Sequence, residues 1–201
     1  MTATRFLYLA RHGEALPDES GLTEAGKLQA TLLGKRLRDV SLSAVHHSPV
    51  TRAVQTARLT TLGPLVESAE AGDYLPYMPS ADELPEDSAD SLMAFLAQWT
   101  EEEQRTGPEL ARQALTRFTG PADGNTPVRE LIVTHAFLIG WLVRDAMGAP
   151  PWRWLTINAA NAALTVIRYT PGKPASVLCL NDMTHLPTEL HWTGHPPETT
   201  P

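Results

Sequence analysis

Polar side chains that suit one kind of chemistry fall at equivalent places along this sequence. Arg11 and His12 directly follow the apolar run RFLYLA. Arg52 lies in the first turn after a second short run, SAVHH, and His135 ends a third run, ELIVTH. The guanidinium fork of arginine matches the oxygens of a phosphoryl group, so two arginines and two histidines suit phosphate if the fold brings them together.

The surrounding segments have the pattern of an α/β fold. Residues 5–10 predict a buried strand, Thr23 opens a helical pattern, residues 43–47 predict a second strand, and Ser48 and Pro49 begin a second helix, with Ser48 as its cap. The strand ELIVTH, the helix FLIGWLVRDAM and two late strands joined by a PGKP turn follow. We predict a three-layer α/β/α fold with a mostly parallel central sheet. In such sheets ligands bind at the carboxyl ends of the strands, where all these polar residues fall.

The middle of the chain interrupts this alternation. Prolines, acids and small residues dominate its first part, and two helical stretches follow at 88–106 and 108–118. We interpret residues 68–127 as a cap inserted over the sheet. The predicted organisation is a single domain over residues 1–186 and a loose C-terminal tail over residues 187–201.

Composition and charge disfavour several classes of protein. The 201 residues are 42% hydrophobic and 19% charged, as in an ordinary globular domain. The net charge of −7 argues against nucleic-acid and anionic-membrane partners, which need a basic surface. The N-terminal apolar stretch is too short for a signal peptide, no segment reaches membrane-spanning length, and Cys179 is the single cysteine. We therefore expect a cytoplasmic protein without nucleic-acid or membrane partners.

A set of motifs resembles the histidine phosphatase superfamily, which is also called phosphoglycerate-mutase-like. They occur in family order as RHGE (11–14), LTEAG (22–26), SPVTRAVQTA (48–57), VTHAFLI (133–139) and NDMTHL (181–186). The pairing of RHG with SPxxRAxQTA is the most specific feature. The resemblance implies that His12 takes the phosphoryl group and becomes a phosphohistidine. It also implies that three further side chains surround the phosphate and stabilise its charge: Arg11, Arg52 and His135.

The resemblance further implies a carboxylic acid, supplied by the cap, that protonates the leaving oxygen. In one branch of the family, which includes protein-directed phosphatases, this acid is a Glu shortly before a spaced pair of prolines. GDYLPYMP (72–79) resembles that pattern with Asp73 in the place of the acid. We favour Asp73, with Glu83 as the alternative, among four candidates in the segment: Asp73, Asp82, Glu83 and Glu86.

The sequence also departs from the family pattern. Ala136 follows His135 where the family usually has Gly, which affects how closely the backbone approaches substrate. After RHGE the chain continues ALPDESG, without the Trp-Asn pair of glycolytic mutases, and this favours hydrolysis over mutase transfer. The alternatives are a 2,3-bisphosphoglycerate-dependent phosphoglycerate mutase and a non-catalytic phospho-ligand binding relative.

We therefore predict a phosphomonoester hydrolase that acts through a phosphohistidine intermediate without a metal or other cofactor. The expected substrate is a phosphorylated small molecule or a phosphoprotein, and the oligomeric state stays open, with a homodimer as one option. Three late histidines are spaced six and four residues apart, but Pro187 and Gly194 prevent the helix that would align them, so we expect no metal site there: His185, His191 and His195. The predicted catalytic residues are His12, Asp73 and His135, and the phosphate-binding residues are Arg11, Arg52 and His135.

Overall fold

The structure is a computed structural model that describes residues 1–195, 198 and 200. The strands are β1 (Thr2–Ala3), β2 (Arg5–Arg11), β3 (Ala44–His47), β4 (Leu65–Glu67), β5 (Ala122–Asp123), β6 (Val128–Thr134), β7 (Leu164–Tyr169) and β8 (Ser176–Asp182). The α-helices are α1 (Glu24–Leu37), α2 (Thr51–Thr60), α3 (Ala89–Leu96), α4 (Glu101–Phe118) and α5 (Ala136–Ala146). Short 3-10 helices lie at Ala69–Ala71, Ala81–Glu83, Glu86–Ser88, Pro151–Thr156 and Thr188–Leu190. No helix within this described part of the chain is long and apolar enough to cross a membrane.

The central sheet has six strands in the order β4-β3-β6-β2-β7-β8. The first four strands in this order run parallel, as β4 with β3, β3 with β6 and β6 with β2. The hairpin of β7 and β8 adds two antiparallel strands at the other side. Together with helices on both faces, this confirms the predicted three-layer α/β/α fold with a mostly parallel sheet.

Two apolar cores hold the helices against the two faces of the sheet. Because side chains alternate along a strand, Leu7 and Leu9 of β2 enter one core and Ala10 enters the other. The core that contains Ala10 receives α1 and α2, for example through the fully buried Leu33. The core on the opposite face receives α4 and α5, for example through Leu138. Packing from both faces keeps the sheet rigid, and its strand ends provide fixed positions for polar groups.

The break between the two longer helices of the predicted cap differs from the one that the sequence predicted. α3 ends at Leu96 and α4 begins at Glu101, whereas we expected the break just before Pro108. The reason is a capping box, in which Oγ1 of Thr100 accepts from the backbone nitrogen of Glu103 and the Glu103 carboxylate accepts from that of Thr100. Pro108 therefore lies inside α4, where it removes one backbone donor.

The segment after residue 186 lies partly outside the described residues, which omit positions 196, 197, 199 and 201. Within its described part, Leu190 is buried. Gln29 of α1 donates through Nε2 to the carbonyl of Leu190 at 2.9 Å and to Oγ1 of Thr193 at 2.8 Å. The described part up to His195 thus contacts α1. The boundaries that we assigned to the domain, the cap and the tail stay predictions.

Candidate active site

Parallel strands bring the predicted site residues to one edge of the sheet. Arg11 ends β2 opposite Thr134, the last residue of β6. The backbone nitrogen of His12 donates to the carbonyl of Thr134 at 2.9 Å, and that of Ser48 donates to the carbonyl of Val133 at 3.1 Å. These hydrogen bonds keep the ends of β2, β3 and β6 level. The same five side chains that the sequence singled out line one cleft of about 780 Å³: Arg11, His12, Arg52, Asp73 and His135.

The turn after His12 passes very close to the first turn of α1. A Cβ atom on Gly13 would lie 2.4 Å from the carbonyl oxygen of Gly26, and one on Gly26 would lie 2.1 Å from that of Glu14. Only glycine allows so close an approach of two backbones. Thr23 caps α1 by accepting from the backbone nitrogen of Gly26 at 3.0 Å. The turn and the helix start therefore form one packed unit that fixes the position of His12.

The imidazole ring of His12 is held through both nitrogens. Nδ1 lies 2.7 Å from the carbonyl oxygen of Gly13, and Nε2 accepts a hydrogen bond from Nε of Arg52 at 3.1 Å. A carbonyl can only accept, so Nδ1 carries the proton and Nε2 has the free electron pair. Burial, with further contributions from His135 and Arg11, lowers the pKa of His12 well below its usual value. The ring is therefore neutral at physiological pH, as a nucleophile must be.

Two side chains that we did not single out from the sequence hold the backbone around His12. Oγ1 of Thr56 accepts from the backbone nitrogen of Gly13 at 2.9 Å and donates to the carbonyl of Arg52 at 2.8 Å. Nδ2 of Asn161 donates to the carbonyl of His12 at 3.0 Å. Thr56 lies in the motif SPVTRAVQTA, so a signal for it was present. Asn161 lies in the turn before β7, and no motif marked it.

The guanidinium of Arg52 contacts two carboxylates in the cleft. Nη2 donates to Oδ2 of Asp73 at 2.5 Å, and Nη1 lies 3.2 Å from Oε2 of Glu19. The side chain of Asp73 is 37% exposed and that of Glu19 is 72% exposed, so both are accessible from the solvent side of the cleft. We did not single out Glu19 from the sequence. It lies in the loop between β2 and α1, and its carboxylate reaches Arg52 only through the path of that loop.

Glu83, the alternative to Asp73 as the acid, is engaged elsewhere. Its carboxylate accepts from the hydroxyl of Tyr77 at 2.8 Å and from the backbone nitrogen of Ser80 at 2.9 Å, as part of a capping box. Asp73, by contrast, lies beside Arg52 in the cleft. Three of the four acid candidates are not among the described residues that line the cleft: Asp82, Glu83 and Glu86.

His135 lies at the start of α5 and is only 1% exposed. Its Nδ1 lies 3.3 Å from Oδ2 of Asp73 and forms no hydrogen bond within the described residues. Burial, with the charges of Arg52 and Arg11, lowers the pKa of His135 to about 3. The ring is therefore neutral, and one of its nitrogens faces the same carboxylate that Arg52 binds.

Ser48 does not have the role that we expected for it. The sequence suggested a helix cap, but α2 has no side-chain cap. Ser48 is instead fully buried, and its Oγ lies 2.9 Å from Nε2 of His135. The expected cap position is wrong because α2 begins later, with Val50 as its N-cap, although Oγ of Ser48 accepts from the backbone nitrogen of Val50 at 3.2 Å. If the hydroxyl donates to Nε2, the proton of the neutral ring lies on Nδ1, which faces the cleft.

Arg11 is held by a residue from the C-terminal segment. Its Nη1 donates to the carbonyl of Ala159 at 2.8 Å and to Nε2 of His195 at 2.9 Å. Its Nε is buried and has no hydrogen-bond partner among the described residues. The guanidinium is thus fixed at one nitrogen, and another donor is left for a ligand.

The late histidines bind different parts of the chain. Nε2 of His185 lies 3.1 Å from the carbonyl of Ala162, and Nε2 of His191 lies 3.0 Å from that of Leu186. His195 instead contacts Arg11. Over residues 1–195, 198 and 200, no group of three or more His, Cys, Asp or Glu side chains is arranged to hold a metal ion.

Comparisons with known proteins agree with the geometry of the candidate site. The family described as the histidine phosphatase superfamily (branch 1) matches residues 7–182. The mitochondrial serine/threonine-protein phosphatase Pgam5 of Caenorhabditis briggsae is 31% identical over 202 residues, which cover 96% of this chain and 68% of that protein. The chain thus spans about two thirds of the length of this relative.

Solved structures show the same fold. The α-ribazole phosphatase from Shigella flexneri superposes with a TM-score of 0.61 at 24% identity, covering 88% of this chain and 96% of that one. A phosphoserine phosphatase mutant from Entamoeba histolytica, solved in complex with phosphoserine, superposes with a TM-score of 0.63 at 15% identity. That match covers 91% of this chain and 100% of the other.

The expected cytoplasmic location is contradicted by these comparisons. The Pgam5 phosphatases of Caenorhabditis briggsae, Caenorhabditis elegans and Homo sapiens are all mitochondrial by name. Our prediction relied on overall composition, on the single cysteine and on the lack of an evident leader. Composition and cysteine content reflect how a domain folds, and proteins are directed to compartments by separate segments. The prediction of a cytoplasmic protein is therefore wrong.

Proposed function

The chain belongs to the histidine phosphatase superfamily, and from this premise we propose that Nε2 of His12 is the nucleophile that hydrolyses a phosphomonoester. The family match and the phosphatase relatives confirm the predicted class, an enzyme of the phosphatase type. One observation carries the assignment to His12. Its Nε2 is unprotonated, faces the cleft and lies 3.1 Å from Nε of Arg52, while the carbonyl of Gly13 holds the proton on Nδ1.

The first step forms the phosphohistidine. The electron pair on Nε2 of His12 attacks phosphorus, the bond to the leaving oxygen breaks, and that oxygen takes a proton from the carboxylic acid of Asp73. Arg11 and Arg52 bind the equatorial oxygens and stabilise their charge, which is the chief requirement of phosphoryl transfer. Nε of Arg52 donates to Nε2 of His12 at 3.1 Å. A phosphate that accepts this hydrogen bond frees the electron pair for attack.

His135 supplies a neutral donor beside the two cations. In the proposed tautomer the Ser48 hydroxyl donates to Nε2 of the ring, so that Nδ1–H can bind a phosphate oxygen. His135 is also the residue directly before α5, and the positive end of a helix favours an anion. Oδ2 of Asp73 lies 3.3 Å from the same nitrogen, which supports the proposal that Asp73 is the acid.

The second step releases orthophosphate. The Asp73 carboxylate left by the first step takes a proton from water, the water oxygen attacks phosphorus, and the N–P bond breaks. The electron pair returns to Nε2 of His12, and Asp73 is again protonated for the next cycle. The positive charge that this reaction requires comes from Arg11 and Arg52, so we propose that it proceeds without a metal ion.

We propose a phosphorylated serine or threonine side chain of a protein as the substrate. Several similar curated proteins are named as serine/threonine-protein phosphatases, which supports this class. A phosphorylated small molecule is the alternative, and parallel assays of a phosphopeptide and of small phosphomonoesters distinguish the two. Assembly as a homodimer stays a prediction, which the molecular mass in solution tests.

The test of the mechanism combines turnover with trapping of the intermediate. The wild-type protein should release orthophosphate from an aryl phosphate in the presence of EDTA, and His12→Ala should not. Acid-quenched protein should not retain label from a labelled substrate, whereas alkali-quenched protein should, because a phosphohistidine is labile in acid. Hydrolysis that survives His12→Ala, or that disappears with EDTA, would contradict the proposal.

A further inference from the structure

We propose that His195 is a positioning residue for the phosphate-binding guanidinium of Arg11. The inference rests on the proposed function, in which Arg11 binds the phosphoryl group. Nη1 of Arg11 carries two hydrogens, and the carbonyl of Ala159 and Nε2 of His195 each accept one of them, at 2.8 Å and 2.9 Å. Two acceptors on one nitrogen fix the plane of the guanidinium. The other guanidinium nitrogens are thereby held in one position, including the buried Nε, which has no partner among the described residues.

The segment that carries His195 is attached by contacts of its own. Gln29 of α1 is fully buried, and its Nε2 donates to the carbonyl of Leu190 and to Oγ1 of Thr193. Its Oε1 accepts from the backbone nitrogen of Glu14, in the turn that follows the nucleophile. One buried side chain therefore ties the C-terminal segment to the catalytic turn. This attachment holds the segment beside the cleft, which Gly194 lines, independently of the bond between His195 and Arg11.

The protonation state of His195 decides whether the contact exists. Nε2 can accept from a guanidinium only while it is unprotonated, and burial followed by the charge of Arg11 lowers the pKa of His195. The ring also makes a T-shaped contact with the uncharged indole of Trp192, with the ring centroids 5.4 Å apart. Asp73 and Arg52 are the charged groups across the cleft that act on Arg11. A proton on Nε2 would set a second cation against Arg11 and break the hydrogen bond.

Removal of the acceptor should weaken the binding of phosphate. His195→Ala frees the guanidinium to turn, and we expect kcat/KM for an aryl phosphate to fall about tenfold, as is usual for a misplaced binding group. Inhibition by inorganic phosphate should weaken by a similar factor. His195→Gln keeps an acceptor oxygen and should restore most of the loss. His191→Ala is the matched control, because this histidine lies in the same segment but bonds the carbonyl of Leu186.

The pH profile separates positioning from a merely structural role. The measurement compares kcat/KM of the wild type with that of His195→Gln, from neutral pH down to the lowest pH at which both proteins stay folded. The ratio cancels the ionisation of the substrate and of the other site groups, which both proteins share. It should fall with pH, because only the wild type acquires a proton at this position. A flat ratio, or a His195→Ala variant as active as the wild type, would overturn the inference while leaving the phosphatase function intact. A wild type without phosphatase activity would instead refute the proposed function, and the inference with it.

Discussion

Replacement of Asp73 by asparagine should separate substrates by the quality of their leaving groups. Oδ2 of Asp73 lies 2.5 Å from Nη2 of Arg52 and 3.3 Å from Nδ1 of His135. Asparagine keeps the size and an acceptor oxygen but cannot supply a proton. For an alkyl phosphate such as phosphoserine, we expect kcat/KM to fall by about 10²–10⁴, the usual contribution of a general acid. This factor corresponds to about 3–5 kcal/mol of activation free energy.

An aryl phosphate with an acidic phenol should be much less sensitive. Its phenolate leaves without protonation, so we expect Asp73→Asn to lower kcat/KM by less than about tenfold. The quantity kcat/KM is chosen because it reports only the steps up to departure of the leaving group. A defect in hydrolysis of the phosphohistidine, in which Asp73 serves as base, would lower kcat without affecting this comparison.

The substitution Asp73→Asn should leave the folded state intact. The side chain of Asp73 is 37% exposed, and an ion pair of this kind contributes about 0–1 kcal/mol to the free energy of unfolding. Thermal denaturation of Asp73→Asn should therefore give a midpoint close to that of the wild type. A large shift of the midpoint would instead mean that the activity is lost because the variant unfolds.

Glu83→Gln is the matched control, since the sequence left Glu83 as the alternative acid. Its carboxylate accepts from Tyr77 and Ser80, so the substitution should lower stability slightly through the weakened helix cap. It should not change the preference between the two substrates. Equal losses on both substrates in Asp73→Asn, or a preference that appears in Glu83→Gln, would refute the assignment of Asp73.

Three further predictions concern the surroundings of the site. Ser48→Ala removes the hydroxyl that lies 2.9 Å from Nε2 of His135. Steady-state kinetics should show kcat/KM reduced about five- to tenfold, as expected for the loss of one hydrogen bond. An unchanged kcat/KM would contradict this role of Ser48. Gly26→Ala would place a Cβ atom 2.1 Å from the carbonyl oxygen of Glu14. Urea denaturation should therefore show the free energy of unfolding reduced by about 1–3 kcal/mol. An unchanged free energy of unfolding would contradict the close packing of this turn. The pKa of His135 is about 3 in the folded state against 6.5 ordinarily, so the unfolded chain binds a proton that the folded one does not. Stability should therefore fall as pH drops from 6.5 towards 3, by up to about 1.4 kcal/mol per pH unit, and His135→Gln should show a shallower dependence.

The sequence alone determined the sheet and most of the residues that line the candidate site. Buried strands and crossover helices have distinct periodicities, so the order of elements could be predicted from apolar spacing. A parallel sheet places the carboxyl ends of its strands at one edge, and this topological rule brought together residues more than a hundred positions apart. The position of four residues at this edge could therefore be predicted without the details of packing: Arg11, His12, Arg52 and His135.

The tertiary structure decided the contacts made by loops and by buried polar groups. Asp73 rather than Glu83 faces the cleft because of the path of an irregular segment, which no periodicity encodes. Ser48 bonds His135 across 87 positions, and His195 reaches Arg11 across 184. Such pairings depend on where two distant surfaces meet after the core has formed, and a local pattern carries no information about the partner. For this reason the residues of the proposed phosphate site could be predicted from the sequence, whereas the contacts of Ser48 and His195 with them could not.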